Sequence, residues 1–490
     1  MAAPKLKLLA MSNVMYIGFP EATLKSTAEP KSATVKKVLW GDWAEVVDTD
    51  GEFRKIHCRN AVGWVHHTKL QTDRILEINF IDVGQGDGCF IVTPQDEFIL
   101  VDAGVADNMY RFLKWRFNLD HNQFRVPIKH LIISHPDEDH YNGFKYIVNS
   151  PRFSIENIYH NGIIERTGKN LGPVDASGLY LTDLYATHQQ AKDLVENAAM
   201  RGSKQYPNLL FNALKMQPQP HISMLEKGGE IAGYGKQDKV QFKILGPVTE
   251  QVDGKKALRY FNKNDGEAKN GHSVIVQLIM GKVKILLGGD LNDASEEYLA
   301  EHYTGYNPKK ITTEAEREDM ISKGREVFES DVLKSCHHGS HKFIDDFLSF
   351  FNPVATVISS GDNESHTHPR PDTLGAIGKH SRGKRPLIFS TELARSAKEK
   401  LTVNDKDIAE LYKLIEERKV AADDDKPGLD KKIAAIKYNM ERVIAVYGMI
   451  NVRTDGEKVI IAQKKEERGG GFIIYELHPG LDGKLFYKKS

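Results

Sequence analysis

Six consecutive residues, His135-Pro136-Asp137-Glu138-Asp139-His140, follow directly on the apolar run Leu131-Ile132-Ile133-Ser134. A strand of that composition belongs in a core, yet it ends in two imidazoles and two Asp carboxylates. Burying such a turn is costly unless cations neutralise the carboxylates and take up the imidazole lone pairs. The chain is therefore constrained to a fold in which a buried strand ends at a metal-binding edge. His and Asp together suit zinc, manganese or iron better than magnesium or calcium, which prefer oxygen alone.

Three later segments repeat the arrangement of an apolar strand ending in a donor. Leu286-Leu287-Gly288-Gly289-Asp290 places an Asp after two small residues, where its two oxygens are able to bridge two cations. Val332-Leu333-Lys334-Ser335-Cys336 runs into His337-His338-Gly339, and Thr356-Val357-Ile358 runs through Ser359-Ser360-Gly361 toward His366-Thr367-His368-Pro369. Donors delivered from several strand ends converge on one edge of a sheet.

At 490 residues the chain exceeds the size of a single growing core, so two or more domains are expected. Lys plus Arg equals Asp plus Glu at 67 each, which argues against global attraction to a polyanion while leaving room for a local basic groove. Cys58, Cys89 and Cys336 lie far apart without CxxC spacing, so neither a disulfide framework nor a zinc knot is indicated. The segment from Met1 to Asn13 is too short in apolar residues for a secretory signal, and no apolar stretch reaches the ~20 residues that span a bilayer. A cytoplasmic protein without a membrane partner is expected.

Residues 1–72 read as short strands broken by turns, closed by Gly63-Trp64-Val65-His66. They resemble the bacterial Src-homology-3-like barrels, a resemblance that implies a docking module with a possible protein partner. Trp43 and Trp64, each taken singly, are expected to be core aromatics, and His57, His66 and His67 ordinary surface residues. Residues 73–490 form the second unit. It opens with strands separated by the turn Gly84-Gln85-Gly86-Asp87-Gly88, then alternates strands with helices, giving an α/β class. Residues 164–235 and 395–442 look like helical insertions, the latter a charged helical hairpin.

The blocks "FIDVGQGDGCFIV", "ILVDAG", "SHPDEDHYNG", "LLGGDL", "LKSCHHGS" and "HPRPDTL" occur in order. Together they resemble the metallo-β-lactamase superfamily, in the branch found as the hydrolase domain of the DNA-uptake competence protein ComEC. The resemblance implies an αββα sandwich behind the small all-β barrel. It also implies that His135 and Asp137 hold one metal, that Asp139 and His140 lean toward a second, and that Asp290 bridges both. Asp137 stands where most relatives outside this branch carry His, which makes manganese as plausible as zinc. His337 or His338 completes the shell, and the sequence does not decide between them: His337 is taken as the ligand and His338 as the residue facing substrate. His272 occupies a common ligand position, Asp102 is expected to orient a ligating His, and His368 to bind the scissile phosphate or protonate the leaving group, with Asp139 and His338 also in the catalytic set.

Two cations lower the pKa of a shared water toward neutrality and stabilise an oxyanion. The expected activity is hydrolysis with two divalent ions, zinc or manganese, as cofactors. The first reading is a phosphodiesterase, in particular a nuclease with DNA as its nucleic-acid partner. Lys334, Lys342, Arg370, Lys379, Arg382, Lys384 and Arg385 are candidates to follow a backbone. The alternatives are hydrolysis of a small phosphodiester, such as a phosphocholine ester or cyclic nucleotide, under a lid formed by residues 164–235, and a regulatory protein that docks through its barrel.

Overall fold

The computed structural model describes residues 13–361, 367–391, 405–465 and 471–488. Two large sheets face each other across a shared core, and period-two alternation explains how. In the ten-stranded sheet, Cys89 and Ile91 of the strand Gly88–Val92 and Ile99 and Val101 of the strand Phe98–Ala103 point toward the second sheet. Their neighbours Phe90, Val92 and Leu100 point the other way, against Phe112 and Leu113 of the helix Asn108–Arg116 and Phe144 and Ile147 of the helix Phe144–Val148. The six-stranded sheet divides likewise. Val276, Leu278, Ile285 and Leu287 face inward, while Ile275, Leu286 and Leu333 meet the helices Asp293–Thr304, Glu314–Phe328 and Asp345–Phe351. The result is four layers, helix, sheet, sheet and helix.

The strands Leu76–Phe80, Gly88–Val92 and Phe98–Ala103 form the expected antiparallel meander. The chain then crosses over into the parallel strands Val126–Ile132 and Phe153–His160. On the other side of Leu76–Phe80 the sheet is extended by the C-terminal strands Ile450–Thr454, Val459–Lys464, Phe472–Pro479 and Leu485–Lys488. In the six-stranded sheet, Val283–Leu287, Val332–Lys334, Ala355–Ile358 and Leu387–Ser390 run parallel, so their C-terminal ends share one edge. Parallel strands put their loops at that edge, where ligand sites assemble.

Ahead of this sandwich lies a seven-stranded antiparallel sheet from Val14–Ile17 to Leu70–Gln71. Leu39, Trp40 and Ile75 pack there on Ile460 and Ala462 of the larger sheet. Beside them Asp42 accepts hydrogen bonds from Arg59 at 2.6 Å and Arg453 at 2.8 Å. Glu77 pairs with Arg116 at 3.1 Å and Arg453 at 3.3 Å. Burial alone raises the pKa of both carboxyls, but Arg453 and Arg59 outweigh it and hold them below the ordinary range. The expectation for the tryptophans is corrected: Trp43 is 40% exposed, because Ala44 holds the inward register of its strand, and the buried ring is Trp40.

Residues 164–235 contain the helices His188–Glu196 and Gln205–Ala213, whose Leu194 and Leu210 join the outer core layer, and the strand His221–Met224, which extends the ten-stranded sheet. Much of this segment is thus built into the sandwich. The charged region forms the helices Asp405–Val420 and Lys426–Tyr447, joined across by the Arg418–Asp430 pair; the start of that expected insertion, 395–404, and His366 lie outside the described residues. Among the described residues no helix is long and apolar enough to cross a membrane.

Candidate metal centre

The strand Val126–Ile132 ends beneath the turn 135–140, and the short helix Glu138–Tyr141 rotates Asp139 and His140 inward. Three other loops meet them. The glycine-rich turn after Leu76–Phe80 brings Asp87, the loop after Val283–Leu287 brings Asp290, and the loop after Val332–Lys334 brings His338. His338 Nε2 lies 3.1 Å from Asp290 Oδ2 and 3.5 Å from Asp139 Oδ2. His140 Nε2 lies 3.3 Å from the same Asp290 oxygen and 4.0 Å from Asp139 Oδ1. Two imidazole nitrogens therefore stand between two carboxylates, and Asp139, His140 and His338 offer donors within 4.8 Å of one another.

His135 adjoins this group, its ring 4.1 Å from that of His140, and with His140 and Asp290 it forms a second set of donors within 4.8 Å of one another. Its Nδ1 faces Ser134 Oγ at 3.0 Å and Ser273 Oγ at 3.2 Å, leaving Nε2 toward Asp137 Oδ2 at 3.8 Å. His140 Nε2, His338 Nε2 and Asp290 Oδ1 are buried and make no hydrogen bond. Buried polar atoms left without a hydrogen-bond partner are rare in a folded core. The set of imidazole nitrogens and carboxylate oxygens fits a divalent cation.

A carboxylate behind one imidazole and a backbone carbonyl behind the other fix which nitrogen faces the cluster. His140 Nδ1 donates to Asp102 Oδ2 at 2.8 Å, and Asp102 is itself held by the Ser134 N–H at 2.8 Å and Ser134 Oγ at 2.7 Å. His338 Nδ1 lies 3.1 Å from Asp87 Oδ1 and 3.0 Å from Ser359 O. Carboxylate–imidazole pairs of this geometry orient metal ligands and raise their basicity. Burial lowers the pKa of both rings, yet Asp290 with Asp102 for His140, and Asp290 with Asp87 for His338, holds both well above the usual imidazole value. The same contacts hold Asp290 well below the usual carboxylate range despite its burial. His135, by contrast, is pushed well below by burial and the neighbouring His140.

Backbone geometry is specialised around the cluster. Asp102, His337 and His338 adopt left-handed φ values of 55°, 47° and 52°. Non-glycine residues rarely do so, and such strain concentrates at functional sites. At Gly86, with φ of 98°, an added Cβ would fall 1.7 Å from Asp139 O, so only glycine lets this turn press against the ligand turn.

The structure separates residues that the sequence could not. His338, expected to face substrate, points into the cluster, whereas His337 Nε2 stands 4.0 Å from Asp290 and beside the Asn270 amide at 3.5 Å. The consecutive left-handed residues turn the two rings apart. His272, expected as a ligand, is not brought to the cluster. Its Nε2 donates to Arg259 O at 2.7 Å, its ring stacks on Phe261, and burial lowers its pKa to about 4. The next residue, Ser273, reaches the site in its place. His368 lies on the rim, its ring 5.9 Å from His337 and 6.2 Å from His338. Asp137 is at the edge, paired with Lys269.

Asp87, Ser134, Ser273 and Lys269 were not anticipated at the site. An acid set between glycines at a strand end was the available signal for Asp87. Of the expected basic track, Arg370 adjoins the site, its backbone N–H donating to Gly339 O at 2.9 Å, while the others are paired with acids or lie apart. Lys334 is buried and paired with Asp87, Lys342 pairs with Glu267 at 3.0 Å, and Lys379 with Asp345 at 2.6 Å. Arg382, Lys384 and Arg385 line a separate cavity of about 570 Å³ with Lys484 and Tyr487. That cavity precedes the strand Leu387–Ser390, at the opposite sheet edge from the metal centre.

The profile of the Metallo-beta-lactamase superfamily matches residues 83–173, from the glycine-rich turn through the ligand turn and beyond. ComE operon protein 3 of Bacillus subtilis (strain 168) is 22% identical over 307 residues, 62% of this chain and 31% of that protein. The match therefore spans less than a third of the curated relative. Among solved structures, Tm1679, a metal-dependent hydrolase of the β-lactamase superfamily, is 12% identical and covers 64% of this chain and 95% of its own, with a TM-score of 0.28. Zn²⁺-bound PqqB from Methylobacterium extorquens is 7% identical, covering 64% and 97%, with a TM-score of 0.30. With the superfamily's sequence signature on residues 83–173 and four αββα layers built around it, the second unit of this chain has the metallo-β-lactamase fold.

Proposed function

We propose that this protein is a metal-dependent hydrolase that cleaves phosphodiesters, with DNA as its substrate and two divalent ions, zinc or manganese, as cofactors. One observation carries the reading: two buried imidazole nitrogens and the carboxylates of Asp139 and Asp290 face one another with no hydrogen bond to the nitrogens. Asp139, His140, Asp290 and His338 would hold one ion, and His135 and Asp137, with Asp290 between, a second. Ions bound there supply acidification of water and neutralisation of charge on a phosphoryl group. The protein's own part is orientation. Asp102 and Ser359 O fix the imidazoles of His140 and His338, with the Asp87 carboxylate beside the latter, and Ser134 and Ser273 hold the Nδ1 side of His135. His368, whose ring lies 6.2 Å from that of His338, would hold a non-bridging oxygen or give a proton to the leaving group.

The choice of DNA rests on the ordered blocks that resemble the competence-type hydrolase domain. The pairing of Lys342 and Lys379 with acids favours a second reading, a small phosphodiester that needs no extended basic track. A substrate panel separates them: single- and double-stranded DNA, RNA and bis(p-nitrophenyl) phosphate, each with Mn²⁺ and Zn²⁺, against Asp290→Ala. Chelator-sensitive release of nucleotides from DNA, absent in the variant, is expected. Turnover of the small diester alone would favour the second reading, and no hydrolysis of any member would overturn both.

A further inference from the structure

The helix Asp265–Gly271 lies against the ligand turn and grips it at one residue. Lys269, its side chain only 14% exposed, pairs through Nζ with Asp137 Oδ1, with Glu165 Oε1 at 3.3 Å and with Pro136 O at 3.5 Å. The Asn270 amide, in the orientation that also bonds Gly266 O at 3.1 Å, donates to Asp137 Oδ2 at 2.7 Å. Consecutive residues of one helix thus hold both oxygens of Asp137. Asp139 has no such pair, its nearest partners being the two imidazoles, and at Asp290 the buried Lys334 ammonium stands off at 4.0 Å from Oδ1 because it is paired with Asp87.

We propose that Lys269 makes the two ion positions unequal, its ammonium standing in for a cation at Asp137. One divalent ion is then held tightly by Asp139, His140, Asp290 and His338. A second enters beside His135 and Asp137 only by displacing Lys269, which retains Glu165 as an alternative partner. This rests on the reading of the cluster as a metal centre and adds an order of filling that the four-donor set alone does not impose. The ammonium and a dication repel when both sit against one carboxylate, so the penalty that Lys269 imposes falls on the second position. Lys269 is in this sense a positioning residue: it acts through Asp137.

The test is calorimetric titration of the chelator-stripped full chain with Mn²⁺ and, separately, Zn²⁺. The wild type should show one tight and one weak ion. Lys269→Met should tighten the weak ion by about 10- to 100-fold, the range over which outer partners tune metal affinity, and leave the tight one unchanged. Lys269→Arg should keep the wild-type separation. Glu165→Gln should weaken the second ion further by freeing Lys269 for Asp137. Melting curves matching the wild type would set aside misfolding, and Glu165→Gln supplies the opposite-direction check that a damaged fold would not reproduce. Two equal ions in the wild type, or a Lys269→Met titration that superimposes on it, would overturn the proposal while leaving the metal centre standing. No uptake by the wild type would overturn both.

Discussion

Glu296 sits on the helix Asp293–Thr304, wholly buried, beneath the loop that follows His338. Its Oε2 accepts the Ile344 N–H at 2.5 Å, and its Oε1 makes no hydrogen bond. Burial, with a smaller push from Asp293, raises its pKa from 4.5 to about 8. A carboxyl that holds its proton more tightly folded than unfolded contributes most at low pH, and that contribution drains away as pH rises from the unfolded toward the folded value. Each pKa unit is about 1.4 kcal/mol, so the loss is about 1 kcal/mol at pH 5 and about 4 kcal/mol at pH 8. Glu296→Gln keeps an acceptor for Ile344 and has no proton to lose. Unfolding entropy of about 2 cal/mol/K per residue gives roughly 1 kcal/mol/K for the whole chain, so the variant's Tm should gain on the wild type by about 3 °C between pH 5 and pH 8. Differential scanning fluorimetry at half-unit pH steps reads this directly. A gap that stays constant, or narrows as pH rises, would refute the reasoning.

Gly86→Ala should displace Asp139 and cost at least about 1–3 kcal/mol of stability, read as a lowered Tm together with lost metal content; unchanged values for both would mean that the close contact at Asp139 O is not needed. His338→Ala should weaken metal binding by more than the about 100-fold that loss of an outer partner costs, while His337→Ala leaves it within about tenfold, as equilibrium dialysis would show; the reverse order would exchange the roles of the two rings. His368→Ala should lower kcat about 100-fold with bound metal unchanged; loss of metal would place His368 among the ligands.

Much of the centre was legible because its donors sit at strand ends, where an apolar run stopping at His135 or Asp290 carries an imidazole or a carboxylate to the edge of the core and leaves it in need of a cation. The sandwich was legible for a related reason: strands such as Gly88–Val92, with Cys89 and Ile91 on one face and Phe90 and Val92 on the other, carry side chains that need burial on both faces. What the sequence withheld depends on angles within short loops. Two adjacent histidines are equivalent in a sequence, and only the left-handed backbone at both decides that His338 enters the cluster. His272 and Ser273 differ by one position, and the end of the helix Asp265–Gly271 sends the imidazole to Arg259 and the hydroxyl to His135. Asp87 looked like a turn residue among glycines, and its partner Lys334 like a surface cation at the end of a strand. Each is buried because the other is there.

The central claim is that His135, Asp139, His140, Asp290 and His338 bind divalent ions. Elemental analysis of protein stripped with chelator, reloaded with Mn²⁺ or Zn²⁺ and freed of excess ion tests it most directly, with Asp290→Ala treated in parallel. Retained ion in the wild type and its loss in a variant that is still folded is the predicted result; no retained ion in the wild type, or equal retention in both, would contradict it.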